Sequence, residues 1–263
     1  SCIEEFNPEI EKYENVLVIE GLVSNLDGPY EVKISRTTQL DTAFAVPVSD
    51  AYVQIEDNAG NSVVLNESRD GLYTSRGNDF KGVVGNEYRV RIDYDNRSYA
   101  SAFAKILQPV AIQSVDKEFK HIPVPGTLKD TLGYQFFVST EAPQADTSYI
   151  YWKMTETYEY KAGFVRDYLY LNGDTLELCL EEKYAWWTCY MTENIPEIHI
   201  KKYINPIPAA AMQNVPINFV HNFSDRLEET YSLLVQQLSI NAETYNFLQE
   251  FRDQEMNDAS MYS

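Results

Sequence analysis

Short runs in which apolar and polar side chains alternate, each closed by a turn rich in Asp, Asn or Gly, follow one another along most of this chain. A two-residue period places the apolar side chains on one face, so each run reads as a half-buried strand. NVLVIEGLVS (Asn15 to Ser24) opens the series; it is short for a helix and rich in β-branched residues. YEVKIS follows the Asp27-Gly28-Pro29 turn, and AYVQIED follows a Thr-rich loop with Pro47 and runs into the hairpin signal DNAGN, from which SVVLNE returns. Arg69-Asp70-Gly71 precedes LYTS, and EYRVRIDYD turns back about Asp95-Asn96. About seven short strands at regular spacing in roughly 95 residues make a β-sandwich. We expect an Ig-like or prealbumin-like sandwich over residues 15–107.

Gln108-Pro109 reads as a joint. Residues 108–263 carry longer runs (VAIQSVDKEF, GYQFFVST, SYIYWKMTETYEY) and FVRDYLYL joined through Asn172-Gly173-Asp174 to TLELCLEE. Proline-rich loops (HIPVPG, NPIPAAA) are suited to shielding sheet edges. YSLLVQQLSI is one more strand. Asn241 is a good N-cap for the helix AETYNFLQEFRDQEM, on which Tyr245, Leu248 and Phe251 are expected to share a face. The expected class is mainly β: two antiparallel β-sandwich-like domains with one helix near the C-terminus. The chain stops in NDASMYS without a terminating motif, so the second domain is expected to be incomplete at its carboxyl end.

Charge narrows the partners. Forty acidic residues against 21 basic leave a net −19, and nothing in that balance offsets phosphate repulsion, so no nucleic-acid partner is expected. No apolar run approaches the roughly 20 residues that a spanning helix requires.

The three cysteines divide unequally. Ser1-Cys2 looks like the end of a bacterial lipoprotein signal, and the acidic stretch IEEFNPEIEKYE after it suits a tether. Cys2 is therefore expected to carry lipid, with residues 1–14 as an anchored tether and no other attachment to the membrane. Cys179 and Cys189 have an even separation that suits a disulfide across a β-hairpin, worth roughly 2.5–3 kcal/mol by loop-closure entropy. Two buried thiols, or half of a zinc site, are the alternatives; zinc has little support because no CxxC pair exists.

The opening SCIEEFNPEIEKYENVLVIEGLVSN, then GPYEVKISRTTQLD, VPVSDAYVQIEDNAGN, DGLYTS and VGNEYRVRID, together with VQQLSINAETYNFLQEFRDQ near the end, resemble in order and spacing the Bacteroidota lipoprotein family catalogued as domain of unknown function 4249. The resemblance implies a cell-surface, lipid-anchored outer-membrane protein encoded beside SusC-like TonB-dependent receptors, with Cys2 matching the lipidated residue. It implies no activity. Asp41-Thr42-Ala43, Asp130-Thr131-Leu132 and Asp174-Thr175-Leu176 also match the loose O-glycosylation pattern of that phylum.

Catalytic signals are sparse. His121, His199 and His221 form no HExxH, and neither GxSxG nor SxxK occurs, so an enzyme is not expected. A hydrolase working through a carboxylate pair is the remaining catalytic class, but 40 acids generate such pairs by chance. Asp57, Asn58 and Asn61 in DNAGN offer oxygen to calcium without the D-x-D-x-D-G spacing, and a plain turn explains them better. No cofactor is expected.

The richest segment is aromatic. Tyr184, Trp186, Trp187 and Tyr190 flank Cys189, and Trp152, Tyr158 and Tyr160 lie on a nearby strand. On a regular strand, Trp186 and Trp187 face opposite sides, so one is expected in an interface. The leading expectation is a non-catalytic accessory subunit of a SusC-like TonB-dependent transporter. The alternative within binding is a glycan-binding lipoprotein using this aromatic platform.

Overall fold

The structure, a computed structural model, describes residues 16–37, 45–77, 80–123, 130–143, 145–164, 168–171, 175–178, 187–204 and 211–261. The chain divides into two compact units, Ser1–Gln108 and Pro109–Ser263. Antiparallel sheets build both of them.

The first unit holds β1 (Leu17–Gly21), β2 (Glu31–Arg36), β3 (Val46–Pro47), β4 (Tyr52–Asp57), β5 (Ser62–Arg69), β6 (Leu72–Thr74), β7 (Glu87–Tyr94), β8 (Arg97–Ala100) and β9 (Ala104–Lys105). They pair in the order β1-β2-β6-β5-β4-β7-β8, with β3 on β2 and β9 on β7. Strand β5 serves two neighbours in turn. Ser62 to Leu65 pair with β4, and the second half pairs with β6 across a register shift between Glu67 and Arg69. A bulge of this kind bends a strand, so the path can close over its own apolar face. Val32, Ile34, Val53, Ile55, Tyr73 and Ile92 meet there, none more than 2% exposed. Burying each contributes about 1.5–3 kcal/mol, which is why alternation in the sequence translates into this sandwich-like core. Asp95 and Asn96 both take positive φ, 50° and 57°, forming the two-residue turn between β7 and β8. The two-residue strands β3 and β9 were not expected; a pair of residues is too short to show a period.

The second unit is built around β12 (Thr147–Lys161), a 15-residue strand. On one side lies β18 (Tyr231–Ile240); on the other lie first β16 (His199–Ile204) and then β15 (Thr188–Asn194). A second sheet, β10 (Ile112–Pro123), β11 (Asp130–Thr140) and β17 (Val215–His221), packs against it. Phe136, Val138, Ile217 and Val220 from one sheet meet Ile150, Trp152 and Met154 from the other. Strands β13 (Tyr168–Leu171) and β14 (Thr175–Leu178) form a separate hairpin.

Helix α1 (Ala242–Met261) starts where Asn241 was expected to cap it: the Thr244 N–H donates to Asn241 Oδ1 at 2.7 Å. It rests on β12 and β16, with Tyr245 and Tyr149 at 5.0 Å between ring centroids. The expected apolar face is only partly buried. Phe251 is 48% exposed, because six residues beyond Tyr245 the helix has turned roughly 120° away from that contact.

A candidate binding cleft at one end of the second unit

Ile150, Trp152, Met154, Glu156, Tyr158 and Tyr160 share one face of β12. The first three enter the core. Glu156 follows in the same phase at 3% exposure, where a carboxylate requires a cation and hydrogen bonds. Arg226 Nη1 donates to Glu156 Oε1 at 2.9 Å, and the Tyr231 hydroxyl donates to Oε2 at 2.8 Å. Asn218 Nδ2 in turn donates to the Tyr231 oxygen at 3.2 Å. Burial, and then the Glu156 bond, push the Tyr231 phenol far above its ordinary pKa, so it stays a donor.

Arg226 lies in a short 3-10 turn, Asp225–Leu227, between β17 and β18. Its pairing with Glu156 fastens that loop to the sheet, and the Ser224 hydroxyl tightens it by donating to the His221 carbonyl at 2.9 Å. The loop thereby holds Phe223 outward, 77% exposed.

Past Glu156 the core ends and the same face opens. Tyr158 sits between Met191 of β15 and Tyr231 of β18, directly paired with each. Its ring lies 6.2 Å from that of Tyr160, tilted by 49°. These rings, Met191 and the loop residues Phe223 to Arg226 enclose an open cleft of about 530 Å³. Two carboxylates have no ion pair among the described residues: Asp225 in the lining, and Glu193 beside the cleft, opposite Glu156 on β15. Burial first, then the charge of Glu193, raise the Tyr158 phenol above its ordinary value.

The residues singled out from sequence fall differently. Cys2, Cys179, Tyr184 and Trp186 lie outside the described residues. Trp187 is in a turn before β15, not on a strand, so alternation does not assign its face. It is half-buried, its Nε1 donates to the Ala162 carbonyl at 2.9 Å, and Lys161 Nζ lies over its ring at 5.7 Å. Tyr190 is 66% exposed but pairs with Glu159, on the face of β15 opposite the cleft. Cys189 pairs with Tyr160, on the cleft face. The expected Cys179–Cys189 pairing lies outside the described residues because Cys179 does; on the described side, β15, which carries Cys189, pairs with β12, and β14 pairs with β13.

Other candidates resolve simply. Asp57 accepts the Ala59 and Asn61 N–H groups on Oδ1, at 2.9 and 2.8 Å, and Asn61 Nδ2 on Oδ2 at 2.8 Å. Those bonds, the Asn61 side chain's above all, hold its carboxyl below the ordinary range, as a turn-forming aspartate requires. Among the described residues, no three His, Cys, Asp or Glu side chains gather to hold a metal. The histidines stand on three strands; His199 is half-buried opposite Trp152, and burial lowers its pKa. Among the described residues no helix is long and apolar enough to cross a membrane.

Sequence reading located Tyr158 and Tyr160 but missed Glu156, Met191, Phe223, Arg226 and Tyr231. Glu156 had a readable signal: an acid in phase with Trp152 and Met154 demands a cation from elsewhere in the chain. Nothing near Phe223 identifies it, because a lone Phe in a loop is ordinary.

No curated protein and no solved structure matches the chain. Residues 3–263 match the family described as Domain of unknown function (DUF4249), and the chain belongs to that family.

Proposed function

We propose that the chain is a non-catalytic binding protein of the outer-membrane surface, held by lipid on Cys2, and an accessory subunit of a SusC-like TonB-dependent receptor. The observation that carries a binding role is the concentration of exposed aromatic side chains around one end of β12. Phe164 is 92% exposed, Phe223 77% and Tyr190 66%, and Phe223 lines the cleft together with Tyr158, Tyr160 and Met191. Apolar surface so placed has a reason to be there when a partner covers it. Aromatic residues, Met and Arg are the types enriched at protein interfaces.

A protein partner is favoured over a glycan because of Trp187. Sugar stacking needs an open ring face, whereas this indole is half-buried and has Lys161 over it. Attachment through Cys2 is supported by its place after a small residue and before an acidic stretch.

The test is affinity purification of the lipidated protein from detergent-solubilised outer membrane. A stoichiometric β-barrel receptor should accompany it, and the Cys2→Ala precursor should leave the membrane fraction as folded, soluble protein. Purification alone, with Cys2→Ala still membrane-bound after high-salt washing, would refute both parts.

A further inference from the structure

We propose that the cleft between β12, β15 and the β17–β18 loop receives a cationic side chain, an arginine or lysine, from a segment of the partner protein. This rests on the reading of the chain as a protein-binding module and states what that partner must present.

The cleft has three kinds of wall. Tyr158, Tyr160 and Phe223 supply aromatic rings, and a cation within about 6 Å of such a face is attracted by the ring quadrupole. Asp225 in the lining, and Glu193 beside the cleft on β15, near enough for its charge to act on Tyr158, supply negative charge with no ion pair among the described residues. Among the described residues of the wall the one cation is Arg226, and it is already engaged by the nearly inaccessible Glu156 carboxylate at 2.9 Å. An incoming anion would have to compete with Glu156 for that guanidinium and would meet two unpaired carboxylates. A cation meets the reverse: rings, two free acids and a neutralised floor. Long-range charge points the same way, since a chain of net −19 steers basic segments inward.

The apolar rim argues for a side chain carried on a protein segment. Phe223 is 77% exposed and Met191 38%, side by side with the acids. A free small cation would leave both bare, whereas residues flanking an arginine or lysine would cover them.

The probe is acetyl-Phe-Arg-Phe-amide, titrated into the whole folded protein and followed by isothermal calorimetry or by shifts of the Tyr158 and Tyr160 ring signals. The same peptide with citrulline for arginine, spermidine and cellobiose are the comparison ligands. Saturable, salt-sensitive binding of the arginine peptide is expected, about tenfold tighter than the citrulline peptide and spermidine. Phe223→Ala and Asp225→Asn, both at exposed loop positions, should each weaken it about fivefold or more, and unchanged melting curves would show that the fold is intact.

Equal affinity for the citrulline peptide overturns the assignment of a cation. Tighter binding of spermidine overturns the protein segment, and binding of cellobiose alone makes the cleft a sugar site. No binding by any ligand while a receptor still co-purifies leaves the accessory role standing and removes this inference. Arginine-peptide binding without a co-purifying receptor does the opposite.

Discussion

Removing the Arg226 head group should destabilise the second unit by about 3 kcal/mol. Glu156 is 4% exposed at its side chain and its two described partners are Arg226 and Tyr231. Breaking a buried pair from one side costs roughly 3–5 kcal/mol, because the remaining charge is left uncompensated. Arg226 is 38% exposed, so water replaces part of what the carboxylate loses, and the lower end of that range applies. For a unit of this size each kcal/mol moves the midpoint by about 2–4 °C, so Arg226→Ala should melt about 6–12 °C lower. The chain's three tryptophans, Trp152, Trp186 and Trp187, all belong to the second unit, so indole fluorescence reports its unfolding separately. Combining Arg226→Ala with Glu156→Gln removes the stranded charge and should restore about half of the loss. A single variant within 1 °C of the parent, or a double variant less stable than the single, would refute this account of the loop's attachment.

Three further outcomes follow from the geometry. Asn241→Ala should cost about 1 kcal/mol by leaving the Thr244 N–H without its cap, read as earlier exchange of the first-turn amides of α1. The Asp57 carboxyl is held below its ordinary value of 3.8, chiefly by the Asn61 side chain, so its contribution to stability is present above that pH and is lost as pH falls through the lower folded value. Asn61→Ala should raise the Asp57 midpoint in a carbon-detected titration, and an unmoved midpoint would contradict the assigned cause. If Cys179 and Cys189 are joined, intact mass on alkylated protein will differ by two hydrogens before and after reduction; alkylation at both positions without reduction would show that they are not.

What was legible in the sequence is what short-range physics sets. Alternation in YEVKIS and AYVQIED directly reflects which side chains of β2 and β4 are buried, and Asp95-Asn96 accommodates positive φ because both residue types tolerate it. Strand partners are a long-range outcome. Nothing in the local pattern of β15 announces that it pairs with β12, whose in-phase apolar face gives it a core to extend. The cleft was half legible for the same reason. Tyr158 and Tyr160 belong to β12 and share its period, whereas Phe223 and Arg226 arrive from a loop some 65 residues later, delivered by the pairing of β17 and β18 in different sheets.

Hydrogen exchange on the protein, alone and in complex with the receptor proposed as its partner, tests most directly whether this end of the second unit is the contact surface. Added protection is expected to be confined to the 157–164, 187–193 and 222–231 segments and to be reduced by Phe223→Ala. Protection confined to the first unit or to α1, with those three segments unchanged, would contradict it.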